Sequence, residues 1–159
     1  DEILAHKMTA FLVSNGTNPE MIEKILDHQP TNLYISFYGT TPEMYKRTAV
    51  PMVKDFWERV MASMALLKQF QCNTVMRLTL SKGLNFTDAK GYAYNADKFE
   101  PKFIEVKAFM AVGGSRKAMK YEQMPRHNEI QEFAAEIEQQ SSYRIIDEKS
   151  DSRVVLLSR

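Results

Sequence analysis

The sequence predicts an α/β fold on a largely parallel sheet, closed at its C-terminal end by a pair of strands. Short apolar runs alternate with segments of helical spacing, and each run ends in a Gly, Ser, Asn or Pro turn. Parallel neighbours need a crossover, which is usually a helix, so this alternation implies βα units in series. With 159 residues, 44% of them hydrophobic, the chain can bury the core of one domain.

Asp1-Glu2-Ile3-Leu4-Ala5-His6-Lys7 has no initiator Met and reads as the tail of a helix whose start is absent, so a missing N-terminal portion is expected. Met8 to Val13 is a continuous apolar run, the pattern of a strand buried on both faces. Asn18-Pro19 caps and opens a helix through about Leu26. Leu33 to Tyr38 is the second strand, with Gly39-Thr40-Thr41-Pro42 as turn and helix start. The longest helix is predicted over Met52 to Phe70, where Val53, Phe56, Trp57, Val60, Met61, Met64, Leu67 and Phe70 form one core stripe.

Thr74 to Ser81 reads as the third strand, Thr87 to Lys98 as a helix weakened by Gly91, and Phe103 to Met110 as the fourth strand. A helix starting at Pro125 places Ile130, Phe133, Ala134 and Ile137 on one face. Tyr143 to Ile146 and Val154 to Leu157 finish the chain as two strands around a polar turn, Asp147 to Asp151.

Twenty-one basic against twenty acidic residues give a net charge of +1, so bulk charge argues for neither nucleic acid nor a membrane. The lone Cys72 allows no internal disulfide and no cysteine-held metal cluster from this chain, and with no signal peptide or spanning apolar run a reducing cytoplasm is expected. No P-loop, Gly-x-Gly-x-x-Gly fingerprint or Gly-x-Ser-x-Gly elbow is present. His6, His28 and His127 lack metal-ligand spacing and read as surface residues.

In parallel α/β folds ligands bind beyond the C-terminal strand ends. Asn15 follows the first strand, in a Ser14-Asn15-Gly16 stretch that turn chemistry alone would also explain, and Ser36 and Tyr38 share one direction at the second. Arg77 and Thr79 alternate with apolar residues in the third strand, and an arginine there needs a partner, either a salt bridge within the protein or a ligand carboxylate or phosphate. Glu105 and Lys107 alternate likewise in the fourth strand and either neutralise each other or point into a cavity. Between Lys102 and Lys120 five basic residues stand against the single acid Glu105, the local excess of a solvated loop or of a polyanion contact. Arg77, Lys82, Lys107, Arg116 and Lys117 together would form an anion-attracting rim.

Several segments, read together, resemble a known family. They are Phe11-Leu12-Val13-Ser14-Asn15-Gly16-Thr17, Leu33-Tyr34-Ile35-Ser36, Pro51-Met52 with Asp55-Phe56-Trp57-Glu58-Arg59, and Arg77-Leu78-Thr79-Leu80-Ser81-Lys82-Gly83. Phe103 to Met110, Val112-Gly113-Gly114-Ser115-Arg116, Met124-Pro125 with His127, and Ser152 to Leu157 complete the set. In this order they resemble the archaeal-type 4-demethylwyosine synthases, radical S-adenosylmethionine enzymes of wybutosine biosynthesis.

The resemblance implies a partial TIM-like (β/α) barrel of radical SAM type in which residues 1–159 are the C-terminal half, supplying only the later strands. It implies a reaction in which N1-methylguanosine-37 of tRNA-Phe is joined to a two-carbon unit of pyruvate, with S-adenosylmethionine, [4Fe-4S] clusters and an electron donor. The whole enzyme is expected to be a cytoplasmic monomer with no membrane contact. The family's cluster-binding cysteines and its pyruvate lysine belong to the N-terminal half and are missing here; the isolated chain is therefore expected to be inactive, with no metal ligand of its own. By position, the resemblance implies that Asn15, Ser36, Arg77, Thr79, Val112 and Gly113 bind the cofactor, with Arg77 on its carboxylate. Glu105 and Lys107 are the catalytic candidates and Lys82, Arg116 and Lys117 the tRNA contacts. Another radical SAM enzyme, or a non-catalytic βα ligand-binding module, would fit the same pattern of strands.

Overall fold

The structure, a computed structural model, describes residues 2–159; Asp1, the first residue of the predicted helix tail, lies outside the described residues. After the short helix α1 (Glu2–Ala5) come β1 (Phe11–Ser14), α2 (Pro19–Lys24), β2 (Asn32–Ser36), α3 (Pro42–Ala49), α4 (Phe56–Leu66), β3 (Asn73–Leu80), α5 (Ala89–Phe99) and β4 (Phe103–Ala108). Then α6 (His127–Gln139) leads to β5 (Arg144–Lys149) and β6 (Val154–Ser158). The six strands form one sheet in the order β1-β2-β3-β4-β6-β5. The first four run parallel, and the last two form an antiparallel hairpin paired with β4 through β6.

Local chemistry explains the helix starts. Asn18 caps α2 by accepting from the Met21 amide at 3.2 Å, and Thr41 caps α3 by accepting from Met44 at 3.2 Å, each with Pro at the first helical position. At α6 the box is reciprocal to a backbone amide: Glu129 accepts from the Arg126 N–H at 2.8 Å. Gly39 sits where α3 folds back on the turn, since a Cβ there would stand 2.6 Å from the Tyr45 nitrogen.

All the long helices pack on one face of the sheet. Leu33, Ile35, Met76, Leu78, Ile104 and Val106 point into that layer and meet Val60, Met64, Tyr92, Ala96, Phe133 and Ile137. Each apolar side chain buried there contributes about 1.5–3 kcal/mol. By the period-two rule, Tyr34, Ser36, Arg77, Thr79, Glu105 and Lys107 fall on the opposite face, most of them only partly buried. That face carries the predicted site.

Several expectations are corrected. The β1 run, predicted to be buried on both faces, is an exposed edge strand with Phe11 56% exposed, because only β2 pairs with it. The helix predicted over Met52 to Phe70 is α4 from Phe56 with a 3-10 turn at Leu67–Gln69; Met52 and Val53 lie outside it and are exposed, so neither is core. The predicted polar turn Asp147 to Asp151 belongs partly to β5, which continues to Lys149, and the turn proper is Ser150–Ser152. The face of Ile130, Phe133, Ala134 and Ile137 is buried as its spacing predicts.

Candidate active site

Because β1 to β4 are parallel, their C-terminal ends lie along one rim of the sheet. The turn after β1 is pinned from outside: the Ser63 hydroxyl donates to the Gly16 carbonyl at 2.7 Å and the Tyr45 hydroxyl to the Asn15 carbonyl at 3.2 Å. Gly16 has φ +73 and approaches Ile35 closely, a conformation that disfavours any side chain. The Asn15 side-chain oxygen is occupied within the turn, accepting from the Thr17 amide at 3.0 Å and hydroxyl at 2.8 Å. Between this turn and α3 lies an open groove of about 530 Å³, lined by Asn15, Thr17, Tyr38, Tyr45 and the segment from Thr48 to Val53.

Asn85 ties the ends of β2 and β3 together. It is fully buried, accepts from the Ser81 amide at 2.8 Å, and donates to the Tyr38 and Thr79 carbonyls at 3.1 and 3.0 Å. The Tyr92 hydroxyl donates to the Asn85 carbonyl at 3.3 Å. Sequence reasoning missed this residue; a polar Asn four positions beyond the end of an apolar strand was the available signal.

The charges of the open face assemble across neighbouring strands. Arg77 stands opposite Glu105 in the β3–β4 register, and its Nε donates to Glu105 Oε1 at 2.7 Å, with the two side chains 21% and 12% exposed. The guanidinium also lies 4.4 Å from the centre of the Tyr34 ring. Of the two partners open for Arg77, the protein therefore supplies a salt bridge. Glu105 does not neutralise Lys107, as one expectation had it, because the register gives it Arg77 instead. Lys107 is opposite Thr79 and has no ion-pair partner among the described residues. One cation of this partly buried face is thus paired and the other is left without an acid, an arrangement that favours an anionic guest. Burial raises the Tyr34 pKa, Glu105 raises it further and Arg77 opposes both, so Tyr34 is a neutral wall of this site.

Ser36 is buried beside Arg77 in the β2–β3 register. Val112 is exposed and Gly113 has φ +55 at the start of the 3-10 segment Gly113–Lys117. The three residues predicted to contact tRNA are not gathered into a common free patch. Lys82 is ion-paired to Glu129 at 2.6 Å and Arg116 donates to the Ala111 carbonyl at 2.9 Å, while Lys117 is exposed without a partner among the described residues. Glu129 is correspondingly held below the usual carboxylate range, first by the Arg126 amide and then by Lys82.

A largely parallel sheet with its long helices on one face and polar groups on the other face and along its C-terminal rim is the α/β class of fold in which ligands meet the strand ends. The solved coproporphyrinogen III oxidase of Escherichia coli, a radical SAM enzyme, shares the fold with TM-score 0.54 at 11% identity, over 89% of this chain and 32% of that one. The chain is related over its full length to the tRNA 4-demethylwyosine synthases. A family model for wyosine base formation matches residues 98–159. The S-adenosyl-L-methionine-dependent tRNA 4-demethylwyosine synthase of Pyrococcus abyssi is 41% identical over 100% of this chain and 47% of its own length. The solved structure of TYW1 with a lysine-pyruvate adduct bound superposes with TM-score 0.87 at 34% identity, covering 99% of this chain and 49% of that one. The chain spans about half the length of these relatives. Among the described residues no helix is long and apolar enough to cross a membrane.

Proposed function

We propose that this chain is the C-terminal half of the barrel domain of a 4-demethylwyosine synthase, acting on N1-methylguanosine-37 of tRNA-Phe with pyruvate as co-substrate. The observation that carries this reading is the match of the whole chain, at 41% identity, to an enzyme of that name. The partly buried Arg77–Glu105–Lys107 group gives the reading its chemistry.

The iron-sulfur cluster of this enzyme class does not fit the residues present. Among the described residues no group of three His, Cys, Asp or Glu side chains could hold a metal. Cys72 stands at the start of β3, opposite the rim, and burial raises its thiol pKa away from the thiolate a metal needs. The cluster ligands are assigned to the N-terminal half of the complete enzyme, and by itself the chain is inactive. Reconstituting the isolated chain with iron and sulfide and searching for 5′-deoxyadenosine tests this; any product above background refutes it.

S-adenosylmethionine does fit. Arg77 spends Nε on Glu105 and keeps its terminal nitrogens for the amino-acid carboxylate, a match for the guanidinium fork. Ser36 and Thr79 lie on the same face, Asn15 offers its side-chain N–H groups from the rim, and the Val112–Gly113 backbone is the surface for adenine. When bound, this cofactor supplies the hydrogen-abstracting radical of its enzyme class. Glu105 holds Arg77 in place, and Lys107 orients the carboxylate of pyruvate or the carbonyl edge of the flipped-out guanine. Arg116 and Lys117 meet the tRNA backbone, joined by Lys82 if it exchanges Glu129 for phosphate. The complete enzyme works as a cytoplasmic, monomeric lyase served by a separate electron donor. The protein from its complete reading frame should form the tricyclic base on N1-methylated and not on unmethylated tRNA-Phe; equal inactivity on both would overturn the assignment.

A further inference from the structure

The segment from Lys46 to Lys54 is absorbed by none of the roles above. It holds three cations, Lys46, Arg47 and Lys54, and no acid. Between them lies an apolar lip, Val50-Pro51-Met52-Val53, in which Val50 is 75% and Met52 100% exposed. The lip walls the 530 Å³ groove whose other side is Asn15, Thr17 and Tyr38, so it stands on the same rim as the candidate site.

Ordinary structural reasons account for only part of this. Lys46 and Arg47 fall in the last turn of α3, where cations suit the helix dipole, and Arg47 also donates to the Leu84 carbonyl at 2.6 Å. That explanation does not reach Lys54, which has no ion-pair partner among the described residues, nor the outward apolar side chains. The backbone also holds the lip out at a cost. Val50 has φ +46, a left-handed conformation that a β-branched residue rarely adopts, and Pro51 follows it directly. Strain of this kind is about 1–3 kcal/mol and clusters at functional segments.

Cations flanking bare apolar side chains are the elements of a single-stranded nucleic-acid surface: the amines take the phosphates, and the apolar group takes the face of an unstacked base. We infer that the lip and groove of residues 46–54 bind the single-stranded RNA flanking the modified base, Lys46 and Lys54 on the backbone and Val50 and Met52 against a splayed nucleotide. This rests on the tRNA-modifying reading above and extends the RNA surface to the β1–β2 end of the rim, opposite Arg116 and Lys117.

The test uses the protein from its complete reading frame and an anticodon stem-loop RNA carrying N1-methylguanosine, with affinity measured from about 50 to 300 mM salt. For the variant K46Q/K54Q the slope of log affinity against log salt should fall by about 1 to 2, since each single-strand phosphate contact is worth roughly 0.7. For V50S/M52S affinity should drop at least about fivefold at an unchanged slope. Both variants should bind S-adenosylmethionine with wild-type affinity by calorimetry and unfold at the wild-type temperature. RNA affinity and slope equal to wild type in both variants would overturn the inference while leaving the enzyme reading intact. A parallel loss of cofactor affinity would give the groove to the cofactor, and binding of V50S/M52S-sensitive protein to phosphatidylserine vesicles without any RNA effect would give the lip to a membrane. If the wild-type protein binds no RNA, the enzyme reading fails and the lip inference with it.

Discussion

Arg77 shows how a single position can be legible in kind and hidden in geometry. Period-two alternation placed an arginine on the less apolar face of a strand and demanded a partner; only the β3–β4 register decides that Glu105 and not Lys107 stands opposite. Replacing Glu105 with Gln should cost about 1.5–3 kcal/mol, the worth of a partly buried charged hydrogen bond, read as a shift in denaturant midpoint at constant slope. In the complete enzyme Arg77→Ala should weaken S-adenosylmethionine binding by tenfold or more by calorimetry, and unchanged affinity would remove Arg77 from the cofactor. Asn85 is the opposite case, a residue with no motif whose importance comes entirely from where the chain brings it. Asn85→Ala leaves the buried Ser81 amide without its acceptor, so a loss of about 2–4 kcal/mol is expected. The thermal midpoint should fall by roughly 5–15 °C.

Among the elements, those with caps were read nearly to the residue. Asn18-Pro19 and Thr41-Pro42 start α2 and α3 as their side-chain chemistry requires. Where the sequence lacked such punctuation, apolar spacing overran the element: Met52 and Val53 match the α4 stripe in period but fall before its start, where Val50 has gone left-handed and Pro51 has broken the chain. At α6 the start moved from Pro125 to His127 because Glu129 bonds the Arg126 amide. That bond makes α6 sensitive to acid. The Glu129 pKa is lowered on folding, so its contribution is complete above about 4.5, the ordinary value, and is lost as pH falls through the lower folded value. Stability measured from pH 6 downward should therefore fall less steeply in Glu129→Gln than in wild type. Gly39 sets a steric limit on α3, and Gly39→Ala should cost about 1–3 kcal/mol in unfolding by denaturant, since the clash is with backbone that cannot yield.

At the level of the whole molecule, the parallel run of the first four strands followed from alternation of apolar runs and helices, but the exposure of β1 did not, because a run of apolar letters is the same whether one neighbour or two lie beside it. The bare edge, with Phe11, Leu12 and Val13 outward, is an aggregation hazard. The isolated chain should self-associate with rising concentration, and Val13→Lys should suppress this in light scattering; association unaffected by the change would place the sticky surface elsewhere. The other margin behaves differently. Because β6 runs against β4, the hairpin occupies the position a fifth parallel strand would need, and the parallel series stops at β4 even though β5, antiparallel to β6, points along β1–β4 again. The Ser150–Ser152 bend joins two antiparallel strands outside the β1–β4 ladder, so it can carry added residues while the parallel strands keep their register.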